Sequence, residues 1–285
     1  MKHSIDEQSW TRFAADYGLG HNPFRSCSRV WRDLIVHSWQ IWMIFKSGFT
    51  ATFRQTVFGQ LWGVIMPLVP LFAFFILTLL RIFPAHESIP PLSYMAVGVT
   101  LWLYLQGLMV APAEAVTKHA SVLKSSDFPM VCVFMASYGR LAFEMLIRIL
   151  VVAPILVFFY EISLAGLALV PLLLLPASAF GIAFGIFLGL GGIVVQDLKN
   201  VMEIILRYLI FISFAIFPLS MSGVGGWFYS LNPLAIYIDN IRNVLITGHL
   251  ATPGHFYVVS LISIVLLVLA LHLYSVLERR VAGAL

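Results

Sequence analysis

Six charge-poor stretches, at residues 61–80, 92–113, 141–160, 164–195, 208–221 and 256–277, set the terms on which this chain can fold. A hydrocarbon layer about 30 Å thick needs roughly 20 apolar residues rising about 1.5 Å each, and backbone exposed to lipid must close its own hydrogen bonds. These stretches are continuous apolar runs without period-two alternation, so they predict helices rather than barrel strands. The composition agrees, with 60% hydrophobic and only 11% charged residues, far from a soluble domain. The sequence therefore reads as an all-α integral membrane protein with six transmembrane helices. The fourth stretch is too long for one straight crossing, and tilt or a kink at Pro171 or Pro176 takes up the excess. The fifth begins only after Glu203 and Arg207 have been passed.

Lys and Arg collect at cytoplasmic loops near helix ends. Lys2, Arg12, Arg25, Arg29, Arg32, Lys46 and Arg54 precede the first stretch, Lys118, Lys124 and Arg140 follow the second, Lys199 follows the fourth, and Arg279 and Arg280 end the chain. With six spans all of these fall on one side, and only Arg81 and Arg242 fall on the other. Both termini are expected in the cytoplasm. The net charge of +4 then reads as topology and headgroup attraction, not as a nucleic-acid signal. The polar start of the chain lacks an apolar core before a small-residue cleavage site, so no removable signal peptide is expected and the first span serves for insertion. Cys27 and Cys132 fall on the reducing side and form neither a disulfide framework nor a zinc site.

Residues 27–50 alternate apolar Val30, Trp31, Leu34, Ile35, Trp39, Trp42 and Phe45 with Arg29, Arg32, Asp33, Gln40 and Lys46, with a break at His37 and Ser38. This predicts an amphipathic helix in the cytoplasmic interface, following a polar tail at residues 1–26. It serves either as an anchor or as a lever on a cytoplasmic partner. In the third stretch, thirteen Leu, Ile, Val and Phe residues favour insertion by about 5 kcal/mol, whereas Glu144 and Arg148 at mid-bilayer oppose it by roughly 6 kcal/mol. They cannot stand unpaired there, and their i,i+4 spacing lets them pair on one face near the cytoplasmic end. Glu203 and Arg207 repeat the spacing, so the four charges are expected to form a network. Local neutralisation without a further role accounts for them equally well. Gly181, Gly185 and Gly189 form a stripe that admits a close helix neighbour, within the subunit or in a dimer.

The missing chemistry narrows the function. No G-x-x-x-x-G-K-[ST] phosphate loop is present, so the chain is not by itself an ATPase. Neither H-E-x-x-H nor G-x-S-x-G occurs, and no exposed carboxylate pair marks a hydrolase or transferase. His249 and His255 lack a third partner for a metal, so no metal site and no catalytic residue is expected. The spans also lack the acid and histidine series of a proton-coupled carrier.

Several short pieces, in order, then carry a resemblance. They are Phe53-Arg54-Gln55-Thr56-Val57-Phe58-Gly59-Gln60-Leu61-Trp62, Gly98 with Leu101-Trp102, Phe128-Pro129, Asp197, Phe217-Pro218-Leu219-Ser220, and Asn232-Pro233-Leu234 with Arg242 beyond. Over residues 28–285 the chain resembles the membrane subunit of bacterial type-2 ABC exporters that move lipid-linked polysaccharides such as O-antigen, capsule and teichoic acid. The run before the first span is less basic than is usual in that family, and Met130 stands where a basic residue often follows Phe-Pro.

The resemblance implies a multi-pass homodimer in the bacterial inner membrane, with the transmembrane domain at residues 51–285. Two separate nucleotide-binding subunits would bind ATP and Mg, leaving this chain without a cofactor of its own. A coupling helix at residues 118–130, with Lys124, Asp127, Phe128 and Pro129, would dock on them. Two short re-entrant helices within residues 222–250, carrying Trp227, Asn232 and Pro233, would form an outer gate. Arg54, Arg29 and Arg32 would receive the anionic headgroup of the lipid-linked glycan. Aromatic clusters that otherwise read as lipid-facing packing, Phe72 and Phe75 with Phe211, Phe214 and Phe217, would line the glycan's conduit by stacking on sugar rings. A type-2 ABC permease for a drug or small lipid is the alternative reading.

Overall fold

The structure, a computed structural model, describes residues 23–53, 61–82, 89, 91–119, 129–159, 162–195, 197–216, 218 and 223–282. Among these residues the fold is all helical, without a strand. The helices are α1 (Pro23–Val36), α2 (Ser38–Phe53), α3 (Leu61–Leu79), α4 (Pro91–Lys118), α5 (Met130–Phe159), α6 (Leu164–Val194), α7 (Asp197–Leu209), α8 (Val224–Leu231), α9 (Pro233–Thr247) and α10 (Pro253–Ala282), with a 3-10 turn at Ile210–Ile212.

Local chemistry sets many of the boundaries. Pro opens α1, α4, α9 and α10, where its missing N–H costs nothing and its fixed φ suits the first helical position. Ser163 caps α6 by accepting from Gly166 N at 3.1 Å, and Asn232 caps α9 by accepting from Leu234 N at 3.1 Å. Gly248 closes α9 at φ +80°, a left-handed position that a residue with a Cβ adopts only with strain.

α4, α5, α6 and α10 are long and apolar enough to cross a membrane. α6 runs through Pro171 and Pro176 as one helix of 31 residues, about 46 Å long, so it outreaches a 30 Å layer and must tilt or overhang. The first expected span coincides with α3. The third begins earlier than the apolar run suggests, because Met130–Phe159 is one continuous helix.

α4 is the centre of the fold and packs against α3, α5, α6 and α9, while α10 lies outside against α1 and α6. Of the most apolar window of α4, 72% is buried inside the chain, against 17% for α10, whose side chains are left for lipid. The glycine stripe of α6 makes the central contact possible. A Cβ on Gly185 would stand 2.3 Å from the Leu108 carbonyl oxygen of α4, and one on Gly181 would stand 2.8 Å from Leu108 Cβ. In lipid, where apolar helices gain little by hiding from solvent, such close approach supplies the cohesion. Gly185→Leu should therefore push α4 and α6 apart and cost about 1–3 kcal/mol, read as a lower thermal midpoint in detergent with the purified yield largely kept.

The amphipathic segment is two helices rather than one. α1 is strongly two-faced, α2 is only weakly so, and they meet at His37, whose Nδ1 contacts the Asp33 carbonyl oxygen at 2.9 Å. The break at His37 and Ser38 is thus a change of face with the hydrogen-bond ladder kept, since Ile41 N still donates to His37 O at 3.0 Å. Val30 is buried while Trp31, Trp39 and Trp42 stay exposed. α1 docks on α10 through Ser26, whose hydroxyl meets His272 Nδ1 at 3.1 Å and accepts from Ser275 at 2.9 Å; α2 lies along α5. Both thiols are free, and burial raises that of Cys27, with a smaller opposing effect from a backbone hydrogen bond.

The fifth expected span, 208–221, is corrected by the structure. A helix begins at Asp197, ends at Leu209, gives one 3-10 turn and breaks at residues 213–216, so no continuous helix covers 208–221. The break is held open by side chains from α4 and α9.

Candidate functional site

Helix α9 is only 15 residues long, yet nearly every side chain from Leu234 to Ile246 is buried. Among them is Arg242, with no accessible surface. A guanidinium carries its charge throughout and must find acceptors when buried. Here it finds backbone carbonyls at the break that follows α7. Arg242 Nη2 donates to Phe214 O at 2.6 Å and to Ala215 O at 3.4 Å. Tyr94 of α4 donates its hydroxyl to the same Phe214 oxygen at 3.2 Å, and the guanidinium carbon stands 3.5 Å from the centre of the Tyr94 ring. Asp239, one turn earlier on α9, faces Arg242 Nη1 at 3.8 Å. Phe214 takes φ +56°, which turns its carbonyl out of the helical direction.

Gly98 makes room for the arrangement, because a Cβ there would lie 1.9 Å from Ala215 O and 2.3 Å from Arg242 Nη2. Around the core runs a second layer. Tyr229 of α8 donates to Asp239 Oδ2 at 3.3 Å and shares a 2.7 Å contact with Thr252 Oγ1. Asn240 donates to Thr252 Oγ1 at 2.9 Å and receives Thr252 N at 2.9 Å. Asn232 Nδ2 reaches Ser213 Oγ at 2.9 Å. The hub thus ties α4, α8, α9 and the start of α10 to one helix break.

The expected outer-gate residues share in this hub unequally. Asn232 both caps α9 and grips Ser213, Pro233 opens α9, and Trp227 is 60% exposed on α8 beside Phe228. The expected conduit aromatics do not form one set. Phe214 is 2% exposed and packs edge-on against Tyr229 with centroids 5.1 Å apart, so it belongs to the hub and lines no open passage. Phe72 and Phe211 are exposed, and Phe72 leans on Phe75 at 6.2 Å. Phe217 lies outside the described residues, as do Arg54, Lys124, Asp127 and Phe128. Pro129 precedes α5, and its carbonyl receives Cys132 N at 3.0 Å. Arg29 and Arg32 lie on α1, half-buried and exposed.

The charge network takes a different form from the one expected. Glu144 bridges two cations of its own helix, Arg140 Nε at 3.2 Å and Arg148 Nη2 at 3.5 Å. Glu203 pairs with Lys199 at 3.4 Å instead of with Arg207, and Arg207 forms no ion pair among the described residues. Lys199 sits one turn below Glu203 on the same face, as Arg207 sits one turn above, so the acid had two partners at equal spacing. Glu144, Glu203 and Arg207 line one cavity of about 380 Å³, with no ion pair between Glu144 and Arg207 among the described residues.

Sequence reasoning assigned Arg242 to the outer surface and passed over Tyr94, Tyr229, Asp239, Asn240 and Thr252. The signal was available in the acid–base pair three residues apart within an otherwise apolar segment. Among the described residues, no group of three or more His, Cys, Asp or Glu side chains could hold a metal. What the hub can do chemically is hold a fixed positive charge and a redirected backbone in a low-dielectric interior. No family model matches the chain, and no curated protein matches it.

Proposed function

We propose that this chain is the membrane subunit of an ATP-driven type-2 ABC exporter that carries lipid-linked polysaccharide outward across a bacterial inner membrane. Two copies form the conduit, and two separate ATPase subunits bind ATP and Mg. Each copy crosses the membrane six times with both termini in the cytoplasm, α3 and the broken α7 being the shorter crossings. The observation that carries the reading is the pair of short helices, α8 and α9, seated between a broken helix and the last long one. This is the arrangement the sequence resemblance implies for an outer gate. The two-helix amphipathic arm docked on α5 and α10 supports it, because an arm fixed to two helices at one end of the bundle can pass on a push from below.

Residues 118–130 then meet the ATPase, Arg54 and the basic face of α1 receive the lipid's anionic headgroup, and exposed aromatics let the glycan slide. Deleting the chain in its native cell should leave glycan synthesis intact while lipid-linked glycan accumulates on the cytoplasmic face. Unchanged surface glycan would remove polysaccharide as the cargo. Arg54→Ala should reduce export about tenfold or more, the loss of one charge-assisted phosphate contact, with insertion and ATPase binding intact; normal export in this variant would end the headgroup role.

A further inference from the structure

Four charges from two helices meet at the cavity of about 380 Å³, Arg140 and Glu144 from α5 and Glu203 and Arg207 from α7. The flanking Arg148 and Lys199 do not line it. Each acid is held within its own helix, Glu144 by Arg140 and Arg148, and Glu203 by Lys199. Among the described residues neither Arg140 with Glu203 nor Arg207 with Glu144 forms an ion pair.

The register of the two helices can be measured against α4. A Cβ on Gly107 would strike Leu141, so α5 passes that level of α4 at Leu141. Val99 and Val152 share a second cavity, so α5 runs against α4. A Cβ on Gly98 would strike Ala215 O, whereas Glu203 and Arg207 lie by the later turns of α4, so α7 runs against α4 too and parallel to α5. Nine residues lead from Gly98 to Gly107 and nine lead back from Ala215 to Leu206. The level of Gly107 is therefore marked by Leu141 on α5 and by about Leu206 on α7. Along the common axis the charges then follow in the order Glu203, Arg140, Arg207, Glu144. Each acid stands about two residues, or roughly 3 Å of rise, from a base on the other helix. Glu114 lies seven residues beyond Gly107, about 10 Å further along, and stays outside the set.

α7 is loosely seated, with Leu206 its one buried residue, and it runs into the break at residues 213–216. Exchanging Arg140–Glu144 and Lys199–Glu203 for Arg140–Glu203 and Arg207–Glu144 keeps the number of pairs, and Arg148 holds Glu144 throughout. Partly exposed pairs of either kind are worth similar small amounts, so neither arrangement outweighs the other by more than about fivefold.

We propose that α5 and α7 form an ion-pair exchange switch, whose second position pairs Arg140 with Glu203 and Arg207 with Glu144, draws α7 onto α5 and narrows the cavity. The remaining wall is α2, whose Phe45 lies against Gly139, next to Arg140. The switch thus stands between the amphipathic arm and the helix break held by Arg242. It belongs to the chain's own helices, so it stands or falls apart from any cargo.

The test reads the distance between spin labels at Met135→Cys on α5 and Val201→Cys on α7, both exposed positions. The full chain is placed in nanodiscs with Cys27→Ala, Cys132 being buried, and with an excess of unlabelled chain so that only distances within one copy are read. Two distances are expected, in amounts within about fivefold of each other. Arg140→Glu combined with Glu203→Arg is the sharpest variant. It abolishes the Arg140–Glu144 and Lys199–Glu203 pairs, sets like charges one turn apart on both helices, and leaves opposite charges facing across the cavity. The shorter distance should gain about tenfold over the longer. Arg207→Gln, at an exposed side chain that the fold does not need, should deplete the shorter distance about threefold. A parent confined to one distance, a double exchange that leaves the distances unmoved or lengthens them, or an Arg207→Gln variant identical to the parent overturns the proposal.

Discussion

Replacing Arg242 with Met should destabilise the folded chain by about 3–5 kcal/mol, the range for removing one partner from a buried charge network. The two side chains have similar volume, so little of the loss comes from a cavity. It comes from what the guanidinium leaves behind. Phe214 O and Ala215 O lose the guanidinium donor, and Asp239, 7% exposed, loses the Arg242 cation. Arg242→Lys should fall between the parent and the Met variant, because an ammonium can reach one acceptor but cannot fork to two and lie flat on a ring. Thermal unfolding in detergent, followed by fluorescence of the seven Trp residues, measures both. A Met variant that melts with the parent would show that the break after α7 stands without Arg242.

Gly98→Val should cost about 3 kcal/mol, at the upper end of overpacking effects, because what it strikes is backbone. The added Cβ would lie 1.9 Å from Ala215 O and 2.7 Å from Ala215 C, and no rotamer change relieves that overlap. The segment at residues 213–216 must withdraw from α4, which also carries the carbonyls away from Arg242. The two substitutions therefore remove part of the same interaction. A variant carrying both should be less destabilised than the sum of the single changes by at least about 1 kcal/mol. Strict additivity would mean that Gly98 and Arg242 support different contacts.

The helices were legible wherever apolarity was continuous and the ends carried caps. The stretch at 164–195 reappears almost unchanged as α6, and the first and last stretches reappear as α3 and α10. The fifth was misplaced because hydropathy at 208–221 continues through a backbone that has stopped being helical. Phe211, Ile212, Phe214 and Ile216 carry no break signal, but Pro218, four residues after Phe214, has no N–H for that carbonyl and does. What holds the break in place lies more than twenty residues further on, in Arg242, and 120 residues back, in Tyr94. The charged residues divided in the same way. The Glu144–Arg148 pair was readable because both ends lie on one helix, whereas the choice of Lys199 over Arg207 by Glu203 turned on side-chain placement that spacing alone left open. Phe214 looked like its exposed aromatic neighbours, and only its left-handed φ and its place under Tyr229 set it apart.

The near-complete burial of α9 has a consequence for how the chain is made. An Arg within an inserting segment opposes release into lipid by about 2.5–3.5 kcal/mol, and α9 is too short and too polar to offset that alone. Its shelter consists of α4, synthesised more than a hundred residues earlier, and Thr252 together with α10, which emerge afterwards. During synthesis α9 must therefore wait at the translocon or the interface until α10 arrives, and it reaches its place in the last step of assembly. A ribosome stalled before α10 should hold a nascent chain whose first helices are protected from protease while residues 233–247 are still cut, with protection of the two regions converging only once the final helix is released.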